Sequence, residues 1–142
     1  MLLTEPVLSR EDAHESHVGD VGWRLENMWP LAWILGFPDA PPFDGDMISD
    51  PTIGEILDFT SGKLGVDALL ERATPRTVAA VVALEDLFYC VHNAVRSAQL
   101  RNKTVPKGFH PISNGGVVHE RRHALTWAIS PGTTWDDTDL ST

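Results

Sequence analysis

Residues 74–100, TPRTVAAVVALEDLFYCVHNAVRSAQL, decide the fold. Thr74-Pro75 has the form of an N-cap threonine followed by proline at the first helical position, where the missing N–H costs nothing. From there to Leu100 no glycine or further proline interrupts the chain. Leu84, Leu87, Phe88, Val91, Ala94, Val95 and Ala98 share one wide arc when residues are wound at helical spacing. The expectation is a long helix over 75–100 with this arc against a core. Glu85, Tyr89, His92 and Arg96 fall on the opposite side as one stripe. That stripe reads either as the wall of a polar groove, able to orient a ligand or move protons, or as a solvated face tied by side-chain pairs a turn or two apart.

Toward the C-terminus, Arg101–Gly116 is polar and bears Gly and Pro, so it reads as a loop, with Ser113 or Asn114 capping a last helix over Val117–Ile129. Pro131-Gly132 ends that helix. Val117, Val118, Ala124, Leu125, Ala128 and Ile129 form its apolar arc, and Arg121 points to the middle of it. A buried guanidinium needs acceptors, because removing its partner costs roughly 3–5 kcal/mol. Toward the N-terminus, a helix is expected from Ser9 to Gly36, broken or bent around Gly19 and Gly22 and ended before Pro38. Its Trp23–Gly36 half is apolar nearly all round and should lie centrally. Glu26 sits one and two turns from Trp29 and Trp33, and Pro30 removes the N–H that its carbonyl would accept. These features make Glu26 the expected partner of Arg121, with Asp136 or Asp137 as the alternative. Between the two long helices, Pro38–Pro51 is dense in Pro, Asp and Gly and reads as a surface loop, long enough to carry function or to be mobile. Short helices are expected over Thr52–Phe59 and Asp67–Ala73, with a turn over Ser61–Gly65. No segment alternates with period two, so the fold class is all-α: a compact bundle of four to six helices with one long central helix.

The chain has 142 residues, the size of one domain, read here as 1–142 with 1–8 and 136–142 as flexible ends. A single cysteine, Cys90, excludes an internal disulfide, and it reads as a small buried hydrophobe. The acidic N-terminus resembles no export signal, and the longest apolar run, Met28–Phe37, is short of the roughly 20 residues needed to cross a bilayer. The expectation is a cytoplasmic protein with no membrane partner. A net charge of −9 opposes generic nucleic-acid binding. The charge is uneven: residues 1–71 hold 14 acids against three bases, whereas residues 72–142 hold six acids against eight bases. The first half is therefore the surface suited to a basic protein partner.

Catalytic signatures are sparse: there is no phosphate-binding glycine loop, no dinucleotide fingerprint, no nucleophile elbow and no paired C-x-x-C. His119-Glu120-Arg121-Arg122-His123 satisfies the bare H-E-x-x-H pattern of zinc sites, but the sequence offers no third ligand beside His119 and His123. No cofactor is expected.

Three blocks carry a family resemblance: Trp23-Arg24-Leu25-Glu26 leading through Trp29 to Leu31–Gly36; Asp86-Leu87-Phe88-Tyr89 running on to His92 and Ala98; and Glu120–Trp127 followed by Trp135–Asp139. From about residue 20 onward the chain resembles the bacterial family catalogued as domain of unknown function 4272. The resemblance implies a helical fold and no established activity. Pro30 departs from the helix former usual there, and the N-terminal portion is short. Two functional expectations follow. The first is a non-enzymatic, protein-binding domain, as in an immunity protein that neutralises a basic toxin. The second is a ligand-binding or enzymatic pocket built from Glu26, Glu85, Tyr89, His92, Arg96, Arg121, Asp136 and Asp137. A homo-oligomer is compatible with either.

Overall fold

A computed structural model describes residues 9–60 and 65–142. The described residues form five helices: α1 (Arg10–Ile34), α2 (Asp50–Phe59), α3 (Gly65–Arg72), α4 (Val78–Gln99) and α5 (Ser113–Ala128). There is no strand among the described residues. The fold is all-α, with α4 as the expected long helix. α5 takes the middle place and packs against both α1 and α4, while α2 packs on α1.

Consecutive residues of a helix point about 100° apart, so a helix wedged between two neighbours shows them alternate members of adjacent pairs. α5 does this along its length. A Cβ on Gly115 would lie 2.6 Å from Val95 of α4, and one on Gly116 would lie 2.6 Å from Trp23 of α1. Val117, Val118, Ala124 and Leu125 are all buried. The two glycines therefore mark close helix approach, and α5 begins four residues earlier than the Val117 start read from sequence. Its first turn is satisfied by His110, whose Nδ1 accepts from the backbone N–H groups of Ile112 and Ser113, and Ser113 and Asn114 are inside the helix. Gly115→Ala is expected to cost about 1–3 kcal/mol through overpacking against Val95, read as a lower urea midpoint. Gly22→Ala, where a Cβ meets nothing within 4 Å, is the control and should leave the midpoint unchanged or raised.

The start of α4 differs from the sequence expectation, and the cause lies at the end of α1. α1 runs unbroken through Gly19, Gly22 and Pro30 and closes with Phe37 N–H on the Ala32 carbonyl, Gly36 taking the left-handed conformation at φ 118°. The remaining carbonyls at this end are taken by residues 74–76: Thr74 N–H donates to Leu35, Arg76 N–H to Ile34, and the Arg76 guanidinium to Trp33 and Phe37. Because residues 74–76 bind across the end of α1, α4 starts after them. Its N-cap is Thr77, accepting from Ala80 N–H, in place of Thr74.

α4 also faces differently from its expected arc. Its buried residues are Val81, Glu85, Phe88, His92, Val95 and Ala98, whereas Leu87 and Cys90 are exposed. Glu85 and His92 therefore belong to the face against α5, not to the side away from it. By length and composition α4 could cross a bilayer; in this fold its inner face carries an acid and an imidazole onto an arginine of α5.

Candidate functional site

The wedged position of α5 sends its adjacent arginines into two different interfaces. Arg121 faces α1. It is fully buried, as is Glu26, and its Nε and Nη2 both lie 2.9 Å from Glu26 Oε2. Its Nη1 donates to the Pro42 carbonyl at 2.6 Å and Nη2 to the Asp46 carbonyl at 2.8 Å. The guanidinium lies 5.0 Å over the Trp29 ring. Glu26 Oε1 accepts from Ile48 N–H at 2.8 Å. The expected Glu26–Arg121 contact is thus present, and Asp136 and Asp137 take no part in it. The pair also does something the sequence did not indicate: together the two side chains hold three backbone groups of the 38–49 loop. Asn114 adds a fourth by donating to the Gly45 carbonyl. Gly45 has φ 81°, and a Cβ there would meet Asn114 and Phe109 at 2.7 Å. Of the two expectations for this loop, mobility or function, the first is countered by these four backbone contacts.

Arg122 faces α4. It is buried, lies 4.8 Å over the Tyr89 ring, and donates from Nη1 to His92 Nδ1 at 2.7 Å and to the Leu140 carbonyl at 2.8 Å. Nη2 reaches the Ser141 carbonyl at 3.4 Å. Its Nε lies 3.6 Å from Glu85 Oε1 without a hydrogen bond; that oxygen accepts from Thr126 Oγ1 at 2.9 Å. Three members of the predicted stripe, Glu85, Tyr89 and His92, therefore converge on Arg122, a residue that sequence reasoning passed over. Arg96, the fourth, is exposed and donates to Gln99. The signal was in the doublet: if α5 is flanked on both sides, Arg121 and Arg122 must each be buried.

This constellation has little chemistry to offer. A guanidinium can only donate, so His92 Nδ1 must be the acceptor and the ring proton sits on Nε2. Burial, then the charges of Arg122, His119 and Arg96, push the His92 pKa down to about 4, leaving it neutral. Its one lone pair is committed, which removes it as a general base. An open recess of about 280 Å3 lies beside it, lined by His92, Arg96, His119 and tail residues 140–142.

The H-E-x-x-H segment is similarly engaged. Glu120 is pulled up by burial, but hydrogen bonds from His119 and Asn27 outweigh this and hold its pKa below the ordinary value. His123 Nε2 donates to the Trp135 carbonyl at 2.8 Å, with the two rings stacked. Among the described residues, no three His, Cys, Asp or Glu side chains are placed to hold a metal ion. Asp137 accepts from Thr134 Oγ1 in the tail, and Asp136 lines a separate recess with Trp23 and Asn27. The eight residues gathered into one predicted pocket are therefore distributed over four places: the α1–α5 interface, the α4–α5 interface, the exposed side of α4 at Arg96, and the tail.

A family model described as domain of unknown function (DUF4272) matches residues 5–138. The chain belongs to this family. The matched span includes Glu26, Arg121, Arg122 and His92 and stops short of Leu140 and Ser141, the carbonyls that Arg122 holds. No curated protein and no solved structure matches the chain.

Proposed function

We propose that the chain is a non-enzymatic cytoplasmic domain that binds a basic protein, in the manner of an immunity protein neutralising a toxin, and that residues 38–59 provide its contact surface. One observation carries this reading. Asp39, Asp44, Asp46, Asp50, Glu55 and Asp58 are all exposed, the segment contains no lysine or arginine, and none of the six forms an ion pair with a described residue. Among these acids stand Phe43, Met47 and Leu57, 48%, 66% and 50% exposed. Uncompensated carboxylates steer a cationic partner, and interspersed apolar side chains supply the area that holds it. The polar groups suited to catalysis are instead engaged inside the bundle, which disfavours the enzymatic alternative.

Immobilised chain is expected to capture a basic protein at about 50 mM salt and to release it by about 500 mM, where the screening length falls to about 4 Å. Glu55→Gln with Asp58→Asn should weaken capture while leaving the thermal midpoint in place. Capture that is indifferent to salt, or no captured protein from the source cytoplasm, would remove the reading.

A further inference from the structure

Between the 38–49 loop and the 101–112 loop lies an open groove of about 500 Å3, lined by Val91 and Ala94 of α4, Phe43 of the first loop, and Val105 and Phe109 of the second. Clefts that accept ligands or anchoring side chains run from about 300 to 1,000 Å3. Asp44 and Asp46 complete the lining on the side of the first loop. Both are exposed, and neither pairs with a cation among the described residues. The exposed Lys103 and Lys107 of the facing loop stand outside the lining. The groove is therefore apolar in body and negative on one lip.

Its walls are fixed before anything enters. Arg121 holds the carbonyls of Pro42 and Asp46 on either side of Phe43 and Asp44. Asn114 joins the loops by donating to the Gly45 carbonyl and accepting from His110 N–H. Thr104 Oγ1 ties the second loop to the Ala94 carbonyl. A cleft with immobilised walls loses little entropy when filled, which distinguishes it from a gap between mobile loops.

We infer that this groove receives, from the protein partner, an aliphatic or aromatic side chain flanked by lysine or arginine; the inference rests on the protein-binding reading above and places its anchor. The apolar side chain packs on Val91, Ala94 and Phe109 while the flanking cation meets Asp44 and Asp46.

The test uses the full chain labelled with 15N and three peptides: acetyl-Lys-Trp-Lys-amide, acetyl-Gly-Trp-Gly-amide and acetyl-Glu-Trp-Glu-amide. The lysine peptide should shift the amides of residues 43–46, Val91, Ala94 and Phe109, the glycine peptide should bind more weakly, and the glutamate peptide should leave them unmoved. Asp44→Asn with Asp46→Asn keeps the Asp44 Oδ1 acceptor for Asp46 N–H and should weaken the lysine peptide about fivefold at low salt, as expected for two exposed charges. Shifts centred elsewhere, equal binding of the glutamate peptide, or no shift at all would overturn the inference. So would a captured basic partner whose affinity is untouched by the double variant, and in that case the broader reading would survive. Peptide binding in the groove with no captured partner would uphold the groove and remove the broader reading.

Discussion

Arg121→Met is expected to destabilise the chain by about 3–5 kcal/mol, because it leaves the Glu26 carboxylate fully buried and without its countercharge. Loss of the methylene packing is minor by comparison, since methionine replaces most of it. Glu26→Gln should also destabilise, because its single amide oxygen can accept from Ile48 N–H or from Arg121 but not from both, while Arg121 keeps two backbone carbonyls. The double variant Glu26→Gln/Arg121→Met removes both charges and should be more stable than the sum of the single losses predicts, by roughly 1–3 kcal/mol of coupling. Urea denaturation of the four proteins measures this. Strict additivity would show that the two side chains do not act together. The loop supplies a second readout: amide exchange at Ile48 should accelerate in Arg121→Met beyond the change in global stability, because the carbonyls of Pro42 and Asp46 lose their donors with it. Arg121→Lys should fall between, since an ammonium keeps the charge but cannot present the planar fork that reaches three acceptor groups.

That arginine was legible in the sequence because it stood alone in an apolar arc, and Glu26 was legible because it stood among tryptophans. Arg122 was not. Its arc on an isolated helix looks solvated, and only the wedging of α5 between α1 and α4 buries it. The same tertiary fact hides the inward face of α4: Val81, Glu85, Phe88, His92 and Val95 form a buried row that mixes an acid and an imidazole with hydrophobes, so the most apolar arc lies displaced toward Leu87. Thr74 is not the cap because residues 74–76 are held across the end of α1, with Thr74 N–H on the Leu35 carbonyl 39 positions earlier, and no local pattern encodes that pairing. Helix number and order, by contrast, follow from punctuation: Pro38 and Pro131 fall near element ends, while α2 starts at Asp50 with Ser49 as its N-cap, two residues before the expected Thr52. The spread of the eight candidate residues over the fold has a physical reason too. Polar residues at helical spacing on separate helices need not face one space: Glu26 of α1 and Glu85 of α4 each turn toward a different arginine of α5.

Acidification is expected to weaken the fold between about pH 6.5 and pH 4 through His92. Burial and the neighbouring charges of Arg122, His119 and Arg96 hold its pKa near 4 in the folded chain, against 6.5 when unfolded. Between these values the unfolded chain binds the additional proton, so stability is complete above pH 6.5 and declines as the pH falls, by about 3 kcal/mol at pH 4. The structural cause is specific. A protonated imidazole has no lone pair for Arg122 Nη1, and two cations would then sit 2.7 Å apart beside the tail. Glu120 acts in the same direction but at lower pH, because its depressed pKa lies below 4.5 and its contribution fades only as the pH passes down through that range. His92→Gln separates the two, since its amide oxygen can accept from Arg122 without titrating. Urea midpoints of the variant should stay level from pH 7 to pH 5 while those of the natural chain fall, and the amides of Leu140 and Ser141 should lose protection in the natural chain alone. An unchanged slope in His92→Gln would mean that the acid sensitivity arises elsewhere and that Arg122 does not depend on a neutral imidazole.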